Sequence, residues 1–298
     1  MISRIFPLAR KQEAKRKMIR SAIRNTRRTL LLALDPLRMR QAILKRSESA
    51  PLKEKIEFDA LERPHFAYGV HRAAAQAKAL GINHISVIEF GCAGGNGLIA
   101  LESIAALVTA DLGVKIDIYG FDVGEGLPKP IDYRDLPYAW KTGQFKMDIP
   151  KLEARLTTAK LVIGNVSDTV VPFLSRPDVA PIGFISFDLD FYSSTVDALK
   201  IFNGPHEKIL PRAYCYFDDA IGPDNELHSE FAGELLAIKE FNESSSSSKL
   251  ALIHGLGHKR TFHAVWNDVM YIMHAFEHPL YNQYIDTGID MKLALNPA

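Results

Sequence analysis

Cysteine is nearly missing from this 298-residue chain, with Cys92 and Cys215 the only two. Two thiols cannot build a disulfide framework, and both fall in or beside apolar runs where buried thiols are common. A reducing compartment fits, and the cytoplasm is the expected location. Long apolar runs are lacking too: TLLLAL at 29–34 is far short of the roughly 20 residues that span a bilayer. The Arg-rich start has neither the serine enrichment nor the cleavable apolar core of a targeting segment. The aspartate-rich strand ends offer no paired Cys or His at zinc-ligand spacing, and no internal repeat is found. Neither sign of charge is in excess, since 36 Lys and Arg face 35 Asp and Glu for a net charge of +1.

The charges that are present are unevenly spread. Residues 1–50 hold 14 Lys and Arg against only Glu13, Asp35 and Glu48, a net +11 that the rest of the chain offsets. Such an arm suits RNA or another polyanion, or a membrane surface, but few aromatics interleave with the charges, which favours a solvated helical face. Residues 1–61 read as basic helices broken at Pro36 and Pro51, an extension ahead of a main domain over 62–298. That length buries a sizeable core, and 47% hydrophobic with 24% charged residues is ordinary for a globular enzyme.

From residue 63 the pattern alternates. A helix is expected over 63–81, with Pro64 in its first turn and Gly81 at its end. HISVIEF, VKIDIYGF, AKLVIG, IGFISFD and AYCYF read as short buried strands, with helices over 97–110 and 192–202 between them. A further helix is expected over 226–241, where Leu227, Phe231, Leu235 and Ile238 recur at helical spacing. The serine run at 244–248 reads as a flexible loop, and LALIHGL and AVWNDVMYIMHAF as two closing strands. Trp266, Tyr271, Met273 and Phe276 read as core or subunit contact, which leaves a homo-oligomer open. Together these imply a doubly wound α/β sheet of seven mostly parallel strands, Rossmann-like, with helices on both faces. In such a sheet ligands bind at the carboxyl ends of the strands, where strand order reverses.

The chemistry-bearing motifs fall at those ends. VIEFGCAGGNG at 87–97 follows a strand and opens a helix, and its glycines allow positive φ and close backbone approach to a ligand. Glu89 puts a carboxylate at the turn, which disfavours a pyrophosphate and suits a cationic aminoacyl sulfonium, so S-adenosylmethionine is preferred to NAD. Asp122 ends the next strand, where an acid can accept both ribose hydroxyls or serve only the turn before Gly124. In IGNVSDT, Val166, Asp168 and Thr169 stand where an adenine would be flanked, although Asp168 and Thr169 equally suit a helix cap.

FISFDLDFYSST places Asp188 and Asp190 at a strand end, and YCYFDDA places Asp218 and Asp219 at the next. Four carboxylates at one rim need a counterion. Hard oxygen ligands in this number suit Mg²⁺ or Ca²⁺, held by Asp188, Asp218 and Asp219, with Asp190 free to take a proton.

These residues resemble the class I S-adenosylmethionine-dependent methyltransferases, and within them the metal-dependent macrocin O-methyltransferase group, over 87–219. Its E-x-G…GG entry matches Glu89, Gly91, Gly94 and Gly95; its D-x-D-x-Y-x-S-T element matches Asp188, Asp190, Tyr192, Ser194 and Thr195; its paired aspartates match Asp218 and Asp219. Ala93 and Gly94 stand where the group often carries Trp-Arg. The resemblance implies a methyl group carried to a hydroxyl of a small molecule, a sugar hydroxyl in that group. It also implies S-adenosylmethionine contacts at Glu89, Gly91, Cys92, Gly94, Gly95, Asp122, Val166, Asp168, Thr169 and Asp188, and Asp190 as the base. Mg²⁺ on Asp188, Asp218 and Asp219 is the implied metal.

Two rivals remain at this stage. A metal-dependent glycosyltransferase also carries an aspartate pair after a strand, although the upstream Gly-rich loop argues against it. An RNA-directed methyltransferase or binding protein would use the basic arm. The insertion EGLPKPIDYRDLPYAWKTGQF supplies Tyr133, Tyr138, Trp140 and Phe145, either to stack on an acceptor or to anchor the loop, with Arg134 and Asp135 read as a pair. His254, His258 and His263 fit no ligand spacing and read as rim residues.

Overall fold

The computed structural model describes residues 35–224 and 226–285. The basic stretch through Arg28 and the apolar TLLLAL run lie outside the described residues. Two compact units divide between Ala60 and Leu61.

Among the described residues of the first unit, α1 (Pro36–Arg46) and α2 (Leu52–Glu57) pack together. Pro36 opens α1: its missing N–H falls where no partner exists, and the Asp35 side chain accepts from Leu37 N at 2.9 Å. Pro51 is likewise the residue before α2. The Arg40 guanidinium pairs with Glu54, and the Gln41 amide donates to the carbonyls of Phe58 and Asp59.

The second unit opens with α3 (Pro64–Ala79), close to the expected span, and Gly81 leaves it at φ +77°. The strands are β1 (His84–Phe90), β2 (Lys115–Asp122), β3 (Lys160–Ile163), β4 (Ile182–Phe187), β5 (Ile209–Phe217), β6 (Ser248–Leu252) and β7 (Met270–Ala275). They form one sheet in the order β3-β2-β1-β4-β5-β7-β6, parallel except for β7, which runs antiparallel to both neighbours. This is the expected doubly wound α/β sheet, with strand order reversing between β1 and β4. Helices α4 (Asn96–Leu112), α5 (Ile149–Glu153), α6 (Val166–Leu174), α7 (Tyr192–Leu199), α8 (Gly233–Ser244) and α9 (Leu256–Lys259) surround it. No described helix is long and apolar enough to cross a membrane.

Aromatic side chains fill the core beneath the carboxyl end. Phe90, Phe187 and Phe217 are fully buried and adjacent in register on β1, β4 and β5. Burying rings of this size contributes much of the sheet's stability, roughly 2 kcal/mol per side chain on a transfer basis. Each of these phenylalanines is the last strand residue before Gly91, Asp188 or Asp218.

Two expectations change. The helix expected over 226–241 begins only at Gly233. Leu227 and Phe231 are 68% and 69% exposed, because Leu227 (φ +54°) and Gly233 (φ +66°) turn the chain out of helical geometry. The serine run is a tight link: Ser244 ends α8, Ser248 begins β6, and Ser245 Oγ accepts from Ser248 N. Of the residues read as core or subunit contact, Trp266 and Met273 are in the core and Phe276 is exposed.

Candidate active site

At the reversal point, β1 runs into a turn whose glycines serve mainly the protein itself. Gly91 takes φ +81°, and a β-carbon there would lie 1.7 Å from the carbonyl oxygen of Asp188. A β-carbon on Gly95 would strike Leu152 of α5, and one on Gly97 would strike the Glu89 carboxylate. Gly94 alone among these faces open space. The missing side chains are therefore demanded by strand, helix and carboxylate packing more than by a ligand.

Glu89 stands behind the turn, 2% exposed and outside the cavity lining. It accepts the N–H of Leu98, and burial, reinforced by the Asp122 and Asp218 carboxylates and opposed by Arg63, pushes its pKa up to about 8. Its Oε2 has no partner. Cys92 is also buried, its thiol against the carbonyls of Glu89 and Phe121, so it contributes backbone and no side chain to the turn.

Asp122 knits the turn together. Its Oδ2 accepts from Cys92 N and Ala93 N, both at 2.9 Å, and its Oδ1 accepts from Gly124 N at 2.6 Å. A carboxylate offers about four lone-pair positions, so three are used and about one is left. Asp122 thus gives three of these positions to its own loop. The same bonds occupy loop N–H groups that a pyrophosphate would need.

A cavity of about 380 Å³ opens over these strand ends, a size ordinary for small-molecule sites. Gly91, Ala93, Asp122, Asn165 and Val166 line one part, and Asp188, Asp190, Asp218, Asp219 and Glu226 another. Asp168 and Thr169 do not line it. They sit in the first turn of α6, where Thr169 Oγ1 donates to the Asn165 carbonyl and Asp168 meets Ser167 Oγ. Neither caps the helix: its N-cap is Asn165, and no side chain makes a capping hydrogen bond.

The four aspartates converge. Ligand oxygens of Asp188, Asp218 and Asp219 all lie within 4.8 Å of one another. Register makes this so: Phe187 pairs with Phe217, and the residues that follow leave the sheet together. Asp190 takes φ +60°, uncommon for a residue with a β-carbon, and its N–H donates to Asp219 Oδ2 at 2.7 Å. Burial, then the charges of Asp219, Asp218 and Glu226, push Asp190 up to about 8. Burial and the neighbouring acids hold Asp188 well above the usual carboxylate range, and burial raises Asp219 to about 6 against the Asp190 N–H that favours its charge.

Behind them Glu234 is fully buried. Its Oε2 accepts from Asp219 N at 3.0 Å, while its Oε1 has no partner. Three carboxylates, of Asp188, Asp218 and Asp219, whose oxygens lie within 4.8 Å of one another form a set of hard donors. The donor set fits Mg²⁺.

The insertion over 124–148 forms a wall. Leu127, Pro128, Trp140 and Phe145 line the cavity, with the two aromatic rings edge to face at 6.0 Å. Tyr138 Oη donates to the Glu226 carbonyl, so an aromatic of the insertion also anchors it. Arg134 does not pair with Asp135: it pairs with Asp132 at 2.9 Å and lies over the Tyr192 ring. Asp135, buried, accepts instead from Ile131 N, Ser193 N and Ser193 Oγ. An acid two residues from Arg134 wins because the intervening turn points Asp135 inward against α7.

Glu226 and Glu234 were invisible in the sequence, since both fall in a stretch read as an amphipathic helix. His228, 2.7 Å from Glu226 through Nε2, was likewise missed. His254, His258 and His263 are outside the cavity lining.

No protein-family model and no curated protein matches this sequence. Solved structures are similar to it. The crystal structure of CalS11, a calicheamicin methyltransferase, shares 22% identity over 79% of this chain and 90% of that chain, with a TM-score of 0.48. The O-methyltransferase NovP shares 14% over 71% and 80%, with a TM-score of 0.47. An O-methyltransferase from Bacillus cereus in complex with SAH shares 13% over 76% and 91%, with a TM-score of 0.35. Likeness at this level specifies neither reaction nor acceptor, which are decided by the residues of the cavity.

Proposed function

We propose that this chain is an S-adenosylmethionine-dependent O-methyltransferase assisted by a divalent metal, acting on a hydroxyl of a small molecule such as a sugar. The observation that carries the reading is the meeting of two sets of groups in one cavity: the Gly91 turn with Asp122 and Val166, and the carboxylates of Asp188, Asp190, Asp218 and Asp219. The catalytic unit is assigned to 62–298, with no part in the chemistry given to the basic segment.

Asp188, Asp218 and Asp219 are the residues that would hold the cation, and Gly91, Asp122, Val166 and Asp188 those that would border the donor. When bound, S-adenosylmethionine supplies an electrophilic methyl group and a divalent cation supplies charge that makes a hydroxyl more acidic. In this reading Asp190, at the cavity wall beside Asp219, is the base, and the charge of a bound cation would lower its raised pKa so that it takes the hydroxyl proton. Trp140 and Phe145 exclude water and orient the acceptor, so that much of the rate comes from positioning.

Every charged residue lining the cavity among the described residues is acidic. This supports an acceptor without phosphate groups and counts against the nucleotide-sugar glycosyltransferase reading, whose diphosphate needs cationic partners beyond one metal.

The test is calorimetry with S-adenosylhomocysteine and a tritiated-methyl transfer screen over sugars and phenols, with Mg²⁺ and with excess chelator. Binding of the homocysteine product together with chelator-sensitive transfer is expected. Full transfer in chelator refutes the metal, and absence of cofactor binding refutes the reading as a whole.

A further inference from the structure

We propose that Tyr216 is a positioning residue for the metal centre, its phenol holding Asp218 in the orientation needed to ligate. The inference rests on the reading of Asp188, Asp218 and Asp219 as metal ligands.

Tyr216 stands two residues before Asp218, at the end of β5. Its Oη donates to Asp218 Oδ1 at 2.6 Å. Tyr216 is buried, so its hydroxyl has lost water and takes Asp218 as its partner. It does not line the cavity, and so acts on the site only through Asp218.

The ring itself is held. His65, in the first turn of α3, stacks on it with centroids 4.2 Å apart and 29° between planes, and Phe66 approaches its edge at 6.3 Å. His65 Nε2 is buried without a hydrogen-bond partner, so the imidazole meets Tyr216 as a packing surface. A fixed phenol on a rigid strand gives Asp218 one preferred rotamer.

The neighbouring ligand is oriented by different groups. Asp219 Oδ2 accepts from Asp190 N, and Asp219 N donates to Glu234 Oε2. Loss of the phenol therefore acts on Asp218 and leaves the hydrogen bonds of Asp219 in place. Groups that orient a ligand from behind commonly set metal affinity by about 10–100-fold.

The experiment titrates Mn²⁺ into the full chain, reading free ion by electron paramagnetic resonance, with S-adenosylhomocysteine affinity measured in parallel by calorimetry. Tyr216→Phe keeps the ring and its stack, and is expected to weaken Mn²⁺ binding about tenfold with cofactor affinity unchanged. His65→Ala, which frees the ring, is expected to weaken Mn²⁺ in the same direction, and His65→Phe to restore it. Equal Mn²⁺ affinity in wild type and Tyr216→Phe overturns the positioning role alone. A wild-type protein that binds no Mn²⁺ overturns the metal reading and this inference with it.

Discussion

Phe187 and Phe217 are register partners on β4 and β5, and their rings stack 4.5 Å apart with 4° between planes. Each is followed at once by an aspartate, so the stacked pair sets the separation at which Asp188 and Asp218 leave the sheet. Phe90 pairs with Phe187 on the other side and brings Gly91 against the Asp188 carbonyl. An apolar layer thus assembles an acidic one, and the burial that favours the rings makes room for charges that repel.

Gly91→Ala should be the most damaging single methyl in the site. It adds a β-carbon at φ +81° and 1.7 Å from the Asp188 carbonyl, so either the turn or the end of β4 must move. A loss of about 1–3 kcal/mol is expected in chemical denaturation, together with loss of both cofactor and Mn²⁺ binding.

Asp188→Asn should act in opposite directions with and without metal. In the metal-free protein Asp188 must on folding either stay charged against Asp218 and Asp219 or take up a proton, and the amide avoids both, so the melting temperature should rise by about 2–4 °C. Saturating Mg²⁺ should raise the melting temperature of wild type and leave the variant unmoved. Thermal melts in chelator and in Mg²⁺ check both halves.

Glu89→Gln should flatten the pH dependence of stability. Glu89 is raised in the folded state from an ordinary 4.5 to about 8, so the folded protein holds a proton that the unfolded chain releases. Its stabilising contribution is complete below pH 4.5 and is lost as pH rises to 8. Without metal or cofactor, the variant should therefore lose less stability than wild type across that window, and a series of melts at stepped pH reads the difference.

Asp135→Ala should loosen the insertion. Its carboxylate accepts from Ile131 N, Ser193 N and Ser193 Oγ at 2.8–3.0 Å, and removing it leaves three part-buried donors without that acceptor. A cost of about 1–2 kcal/mol is expected, with faster proteolytic cleavage inside residues 124–148 and weaker acceptor binding at unchanged cofactor affinity. Limited proteolysis followed by mass spectrometry locates the cuts.

The strands could be read from the chain because each is a short apolar run with a clear stop. HISVIEF became β1 without a residue gained or lost, and the acids at 188, 190, 218 and 219 stood at strand ends in both readings. The 226–241 stretch misled because Leu227 and Phe231 fall at helical spacing by coincidence, while positive φ at Leu227 and Gly233 is a backbone property that spacing does not report. Asp168 and Thr169 were drawn to the ligand by proximity to a strand end, yet one turn of helix points them elsewhere.

The sequence alone determined what is local: where apolar runs make strands, where glycine lets the chain turn, and which carboxylates stand at strand ends. Tertiary structure decided what each of those groups faces. Gly95 meets Leu152, Asp122 spends three acceptor positions on its own loop, and Tyr216 meets His65 from 151 positions away in the chain. The reason is that backbone conformation depends on near neighbours, whereas burial, charge crowding and hydrogen-bond satisfaction depend on strand order and register, which bring distant residues together.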